Sequence, residues 1–449
     1  MSLTAGELEK TGSRFSLQRK QWFVWLVKSC LAIIEQALIA GSNFLLNVLV
    51  ARWLTAEQYG AYAVAFAVYM LLIGFYQGLI LEPMAVLSAS YDEQQFRSYL
   101  GSLLRVQAWI SAALAVSLIL IVLVLWAVFH QNSVAWTLVA LIPGLPFILV
   151  FFLLRGACYV RRSPQHATQA AFVYSFVMLS GLVLVSRWFH MTGFMVFLGM
   201  GLAAAAVSAV LLKRLRPDFH STISDRKQWL DHWNFGRWEL SKIGFDWLSQ
   251  NISYTFTAGF MGMAQVGALK AINTLFMPLG QSMSALRRLF LPHLATESDR
   301  KGHSGAAKLI WRMAGVYLVG GLVYGVAVSL AAKPLFHLLY AGKFTESAYL
   351  VSWMAIAAPL GLPAHVIDMG LRSIRSPKSI FTVSCLSSII CVCITVPLTW
   401  LFAIRGAVAS SVISTGIMLV IISAIFRRKT RTVDSDRNGV VLSTNENPT

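Results

Sequence analysis

The segment KRLRPDFHSTISDRKQWLDHWNFGR, residues 213–237, is the longest polar run inside the chain, and it divides its surroundings into two matching sets. On its N-terminal side lie six apolar stretches, at roughly 29–50, 61–87, 106–129, 136–160, 168–187 and 193–212. On its C-terminal side lie six more, at roughly 238–261, 266–291, 313–332, 348–372, 380–402 and 405–426. Each is close to the ~20 residues of helix that span a bilayer core. The pattern predicts an all-α integral membrane protein of about 12 transmembrane helices in two pseudo-symmetric six-helix lobes. The N-lobe is 29–212, the C-lobe 238–426, and 213–237 is the cytoplasmic linker between them. Residues 1–28 read as a cytoplasmic N-terminal segment. Residues 427–449, opening RRKTR and closing STNENPT, read as a disordered basic tail.

Composition agrees. Of the 449 residues 57% are hydrophobic and 12% charged, about half the charged share of a soluble domain. The formal charge of +18 would suggest nucleic acid in a soluble protein. Here Lys and Arg gather in alternate connections instead, as cytoplasmic loops do beside anionic headgroups, and nucleic acid is excluded. With the N-terminus cytoplasmic, 29 basic residues fall on that side. Only Arg52, Arg187, Lys333, Lys343 and Arg405 fall opposite, with Arg237, Lys242 and Lys270 left uncounted. Both termini are therefore expected in the cytoplasm. The five cysteines lie in apolar stretches without a CxxC, and the nine histidines form no HExxH or Cys/His ligand pattern. No metal site, cofactor, disulfide framework or catalytic residue is expected. No cleaved signal peptide is apparent.

A weak repeat underlies the six-plus-six division. A shift of 207 residues lays Gln58, Gly60 and Ala61 on Gln265, Gly267 and Ala268, and Phe129-His130 on Phe336-His337. A six-residue insertion near 338–347 changes the shift to 213. It then matches Pro146 with Pro359 and Arg162-Ser163-Pro164 with Arg375-Ser376-Pro377. Six crossings per half make the repeats parallel, related by an axis along the membrane normal.

Ionisable residues inside spans cost ~2.5–3.5 kcal/mol each on insertion scales and mark function or pairing. The first span carries Glu35, two helical turns from Lys28, and ends at Arg52; the second ends with Glu82-Pro83. The seventh aligns Glu239, Lys242 and Asp246 on one face. The eighth holds Lys270, the best single candidate to meet an anionic group. Under the repeat register Glu35 corresponds to Lys242 and Arg155 to Asp368. Such a charge swap would let the halves pair across a shared cavity. The plainer readings are snorkelling of Lys28, Arg155, Glu239 and Arg372, i,i+4 neutralisation of Asp368 by Arg372, and a structural clamp between halves. Pro143, Pro146, Pro278, Pro359 and Pro363 are sites for kinks.

The stretch ARWLTAEQYGAYAVAFAVYMLLIGFYQGL (51–79) supplies Arg52, Leu54, Tyr59, Gly60 and Tyr62. They resemble the first outer loop of bacterial polysaccharide flippases. The stretch LFHLLYAGKFTESAYLVSW (335–353) resembles that family's later outer segment through Leu339, Gly342, Phe344 and Ala348. The family is the O-antigen and exopolysaccharide branch of the multidrug/oligosaccharidyl-lipid/polysaccharide (MOP) exporter superfamily. The resemblance implies a MATE-like fold around a cavity lined by the first, second, seventh and eighth helices. It implies alternating access that carries a saccharide on undecaprenyl pyrophosphate across the bacterial inner membrane. It makes Lys28, Glu35, Arg52, Lys242, Asp246 and Lys270 the cavity candidates, with Glu82, Arg155, Asp368 and Arg372 as inter-lobe or structural charges. Its partners would be the lipid-linked saccharide, membrane lipids and polysaccharide-assembly proteins such as a polymerase, around a monomeric transporter. The twelve spans depart from the fourteen usual in lipid II flippases.

Three rivals stand beside this reading. A MATE-type exporter of cationic drugs should show unpaired cavity carboxylates. A polysaccharide polymerase or acyltransferase should show a large outer loop or a histidine constellation, whereas His365 stands alone near a span. A non-transporting scaffold would leave paired charges at matched positions unexplained.

Overall fold

A computed structural model describes residues 30–88, 91–127, 132–161, 163–219, 225–373 and 377–444, and every α-helix among them can be placed in chain order. The first half holds α1 (Cys30–Trp53), α2 (Ala56–Leu87), α3 (Glu93–Ala127), the short α4 (Asn132–Val139), α5 (Leu141–Val160), α6 (Pro164–Trp188) and α7 (Gly193–Leu215). The second holds α8 (Asp225–Met261), α9 (Met263–Leu330), the short α10 (Ala332–Tyr340), α11 (Tyr349–Ser373) and α12 (Pro377–Thr444).

Among the described residues nine helical segments are long and apolar enough to cross a membrane. The last of these, Ser379–Thr430, is two helices meeting at Ala403, whose φ of 55° and ψ of −141° are not helical. Two expected spans, 238–261 and 266–291, are absent from the nine, because Glu239, Lys242, Asp246, Lys270 and Asn273 dilute them. Both are nonetheless helical, within α8 and α9. In α9 the Phe276 and Tyr324 rings lie 6.3 Å apart, and Tyr324 Oη donates to the Leu275 carbonyl at 2.6 Å. A straight helix would hold residues 276 and 324 ~72 Å apart. The segment therefore folds back on itself and contains two crossings. The twelve expected helices are accounted for.

The α1–α2 turn is tight because TAEQ (55–58) forms a capping box. Thr55 Oγ1 accepts from the Gln58 N–H, and Gln58 Oε1 accepts from the Thr55 N–H, both at 3.2 Å. Further along α2 a π-turn occupies Gln77–Leu81, just before Pro83. Pro83 lacks the N–H that would bond the Leu79 carbonyl in α-helical register. His232 of α8 meets that carbonyl instead, its Nδ1 at 3.0 Å, and its Nε2 lies 2.8 Å from Tyr99 Oη. The carbonyl fixes the tautomer: Nδ1–H donates, and Nε2 accepts from the tyrosine.

The two lobes meet where the repeat places its strongest match. A β-carbon on Gly60 would collide with the Met263 carbonyl, and one on Gly267 with the Ala56 carbonyl. A 207-residue shift carries Ala56 to Met263 and Gly60 to Gly267, so the contact is reciprocal, as a twofold interface requires. Small residues that let backbones touch are the usual means of packing helices in lipid. Around the bundle Trp109, Leu120, Phe176, Val323 and Leu401 are exposed, a belt that suits hydrocarbon and would aggregate in water.

The structure adds detail at two connections. The polar segment 213–237 is helical at both ends, since α7 runs to Leu215 and α8 starts at Asp225. Its middle is pinned to α3. Arg97 Nε donates to the Arg216 carbonyl at 2.6 Å, and Arg105 donates to the Phe219 carbonyl at 2.8 Å. Those carbonyls follow a helix terminus and need outside donors. Beyond Phe426 α12 runs on as helix through Thr444, its Arg- and Lys-rich start being compatible with helix propagation. Residues 1–28 lie outside the described residues, as do Arg162, Arg375 and Ser376 of the repeat.

Candidate substrate cavity

A cavity of about 710 Å³ lies in the C-lobe and is faced by α2 of the N-lobe. Its polar lining follows helical periodicity. Asp246, Gln250 and Tyr254 project from α8 at four-residue steps, Lys270 and Asn273 from α9 at a three-residue step. Phe66 and Met70 of α2, His365 of α11 and Cys391 of α12 complete the wall. Asp246, Lys270 and Asn273, three of the residues that make these two helices poor apolar spans, line the cavity.

Lys270 is 8% exposed, and its ammonium lies 4.5 Å from the centroid of the Phe66 ring. Among the described residues no carboxylate lies within ion-pair distance. The ring face gives a desolvated cation ~2 kcal/mol, well short of the hydration it has lost. Nearby, Asn273 donates to Tyr254 Oη at 2.8 Å, so the neighbouring polar groups are occupied with each other. Lys270 is thus a buried cation without a counter-charge among the described residues.

The other charges are paired. Lys242 sits 2.8 Å from Asp246 and 3.6 Å from Glu239; Asp246 reaches the cavity wall, Lys242 stands behind it. Arg372 Nε donates to Asp368 at 2.8 Å, and Arg287 approaches the same carboxylate at 3.8 Å. Glu82, half-buried on α2, shares the field of Glu239, Lys242 and Arg372.

Glu35 is buried within the N-lobe, 2.9 Å from Arg155, and accepts from Tyr159 Oη at 3.0 Å. The Arg155 N–H is not aligned on the carboxylate oxygen, so the contact is Coulombic. Arg155 also lies 4.8 Å over the Phe152 ring. The register-paired charges therefore do not bridge the lobes: Glu35 and Arg155 neutralise each other in one lobe, Asp368 and Arg372 in the other. A charge this deep settles on a neighbouring helix of its own lobe sooner than across a cavity. Arg52 has an exposed side chain at the end of α1. Lys28 lies outside the described residues.

At the end of the bundle carrying Arg52 the two lobes touch. The turn after α10 has Ala341, Gly342 and Phe344 in the left-handed region, at φ 55°, 80° and 63°. It thrusts Lys343 against α1, where the ammonium lies 2.7 Å from the carbonyl oxygens of Arg52 and Leu54. These C-terminal carbonyls attract a cation. The Phe344 ring packs 5.8 Å from Tyr59, whose hydroxyl lies 3.5 Å from Thr274. The two stretches that carried the resemblance, around 51–62 and 339–348, are therefore the two faces of one inter-lobe contact. A weaker link, Gln36 Nε2 to Gln281 Oε1 at 3.3 Å, joins α1 to α9 deeper in.

Sequence reasoning missed Lys343, Phe66, His365 and the Gln36–Gln281 link as site residues. Lys343 and Phe66 lay inside the two quoted stretches, and His365 stood out only as a lone histidine near a span. Among the described residues no group of three or more His, Cys, Asp or Glu could hold a metal ion, and the five cysteines are free.

The model of a family described as "Polysaccharide biosynthesis protein" matches residues 49–349. No curated protein matches the chain. Among solved structures the chain is similar to an inward-facing multidrug resistance MATE family transporter of the MOP superfamily. That likeness has 12% identity and TM-score 0.72 and covers 89% of this chain and 96% of the other. It is similar to the lipid II flippase MurJ in an inward closed conformation, at 14% identity and TM-score 0.69, covering 94% of each. An outward-facing MATE transporter matches at 12% identity and TM-score 0.65, over 91% of this chain and 96% of that one.

Proposed function

Since the chain belongs to the polysaccharide biosynthesis protein family, with the fold of MOP flippases and transporters, we propose that it flips a lipid-linked saccharide across the bacterial inner membrane. The carrier is a polyprenyl pyrophosphate, most simply undecaprenyl pyrophosphate. With both termini in the cytoplasm, the end closed by Lys343 and the Gly60–Gly267 contact is the periplasmic one. The observation that carries the reading is Lys270, a buried ammonium without a carboxylate partner among the described residues, on the wall of a cavity within the ~300–1,000 Å³ range of ligand pockets.

A pyrophosphate cannot enter hydrocarbon as an unpaired charge. Lys270 replaces part of its lost hydration with a fixed cation, while the lipid tail remains in the bilayer and the saccharide occupies the cavity beside the Asp246, Gln250 and Asn273 side chains. Asp246, 2.8 Å from Lys242, can exchange partners as the anion arrives or leaves. Parting of the Gly60–Gly267 contact and of Lys343 from α1 opens the periplasmic end. The test is a deletion strain scored for surface polysaccharide and for lipid-linked intermediate on the cytoplasmic leaflet. The reading requires loss of the first and accumulation of the second.

Export of cationic drugs is the second reading, favoured by the Asp246 carboxylate on the cavity wall. Lys242 already neutralises that carboxylate, and Lys270 would repel a cation. Normal surface polysaccharide with increased dye sensitivity in the deletion strain would select this reading instead.

A further inference from the structure

Away from the central cavity, two adjoining pockets share one wall on the N-lobe. The first, about 510 Å³, is lined by Arg97, His166, Lys213, Arg214 and Arg216, with Glu93 the one carboxylate. Glu93 is held 2.9 Å from Arg161. Arg97 spends its Nε on the Arg216 carbonyl and Arg214 one N–H on Gln169 at 2.9 Å. Lys213 and Arg216 have no ion-pair partner among the described residues. The basic cluster therefore carries a net surplus of positive charge with donors to spare.

The second pocket, about 260 Å³, begins at His166 and Arg214, the residues it shares with the first. It continues between α6 and α7 along Ala170, Val173, Ala206 and Val210. Val173 and Val210 are 45% and 52% exposed, so this furrow lies on the outer, lipid-facing surface. A cationic bowl that opens into an apolar furrow along the helices matches one shape, a phosphate headgroup with its acyl chain attached. Basic pockets between transmembrane helices at the membrane surface bind anionic headgroups in this way.

We propose that the bowl and furrow form a site for an anionic phospholipid, separate from the transport cavity, with Lys213, Arg214 and Arg216 holding the phosphate and the α6–α7 furrow holding one acyl chain. The site lies where α7 ends and the inter-lobe segment begins, and Arg97 ties that segment to α3. A bound lipid would brace the N-lobe end of the linker. The proposal is independent of what the central cavity carries.

The test is native mass spectrometry of the full-length protein from detergent, titrated with phosphatidylglycerol or phosphatidylcholine of equal chain length. Retention of phosphatidylglycerol over phosphatidylcholine is expected. Lys213→Gln with Arg216→Gln should weaken it about fivefold per charge removed, and Arg214→Lys should largely preserve it. Val210→Trp, which fills the furrow and leaves every charge in place, should also weaken it; an unchanged size-exclusion profile keeps either loss interpretable. Equal retention of the two lipids, or no effect of either change, overturns the proposal. Displacement of the lipid by inorganic phosphate at matching concentration would reduce the site to a free-anion site. Tighter retention of a polyprenyl pyrophosphate than of phosphatidylglycerol would assign it to the transported lipid instead.

Discussion

Gly60 and Gly267, which a 207-residue shift makes equivalent, face each other across the lobe boundary, with their flanking backbones too close to admit a β-carbon on either. This contact, the Lys343 ammonium on α1 and the Tyr59–Phe344 pair together close one end of the bundle. Gly60→Val or Gly267→Val should therefore force that end apart. In a background without native cysteines, a cysteine at Ala56 should react faster with a membrane-impermeant maleimide applied outside the cell. Unchanged labelling would mean that the contact does not hold the end shut.

Lys343 makes the same contact testable through charge. Hydrogen bonds from a charged donor contribute ~1.5–3 kcal/mol, about tenfold or more in the ratio of closed to open states. Lys343→Met should increase external labelling at residue 56 by that order, and Lys343→Arg should largely retain closure. Equal labelling in Lys343→Met and the unaltered protein would assign the ammonium no role in the equilibrium.

His232, outside the apolar part of α8, provides a pH dependence. Burial pushes its imidazole below the ordinary value of 6.5, partly offset by the Leu79 carbonyl and by Asp231. The folded state thus prefers the neutral ring. Below pH ~6.5 an unfolded chain takes up a proton that the folded one resists, so stability is present above that pH and is lost as pH falls through the lowered folded value. Thermal unfolding in detergent should show a Tm that falls from pH 7 to pH 5, more than in His232→Gln. The same slope in both would separate the effect from this histidine.

The Glu35–Arg155 pair reads as structural. Glu35→Gln leaves the half-buried Arg155 against Phe152 without its counter-charge and should cost up to ~3 kcal/mol, seen as a lower Tm. The double change Glu35→Gln with Arg155→Met should recover much of the loss. Full stability with abolished export in Glu35→Gln would instead place Glu35 in the transport step.

The helical membrane architecture was legible because apolar length survives in one dimension. Even α8 and the first part of α9, diluted by Glu239, Lys242, Asp246, Lys270 and Asn273, still stood out as two of the twelve apolar stretches. Within the site, Lys270 was legible for the same reason, a cation in the middle of an apolar run. The partners were not. Periodicity reports only neighbours on one helix, so it offered Lys28 to Glu35, whereas the partner is Arg155, on α5. Nor could it show that Arg52–Tyr62 and Leu339–Ala348 are opposite faces of one contact, because that pairing exists only once both lobes are folded.

In the proposed function, Lys270 meets an acidic lipid headgroup as it passes through this cavity. The most direct measurement uses proteoliposomes holding a polyprenyl-pyrophosphoryl saccharide with a dithionite-reducible fluorophore on the sugar, run with and without imposed proton or sodium gradients. The unaltered protein should bring the inner-leaflet pool within reach of dithionite, and Lys270→Gln should slow this by about tenfold or more, with Lys270→Arg in between. A protein no faster than empty liposomes under every gradient, or a Lys270→Gln variant as fast as the original, would contradict it.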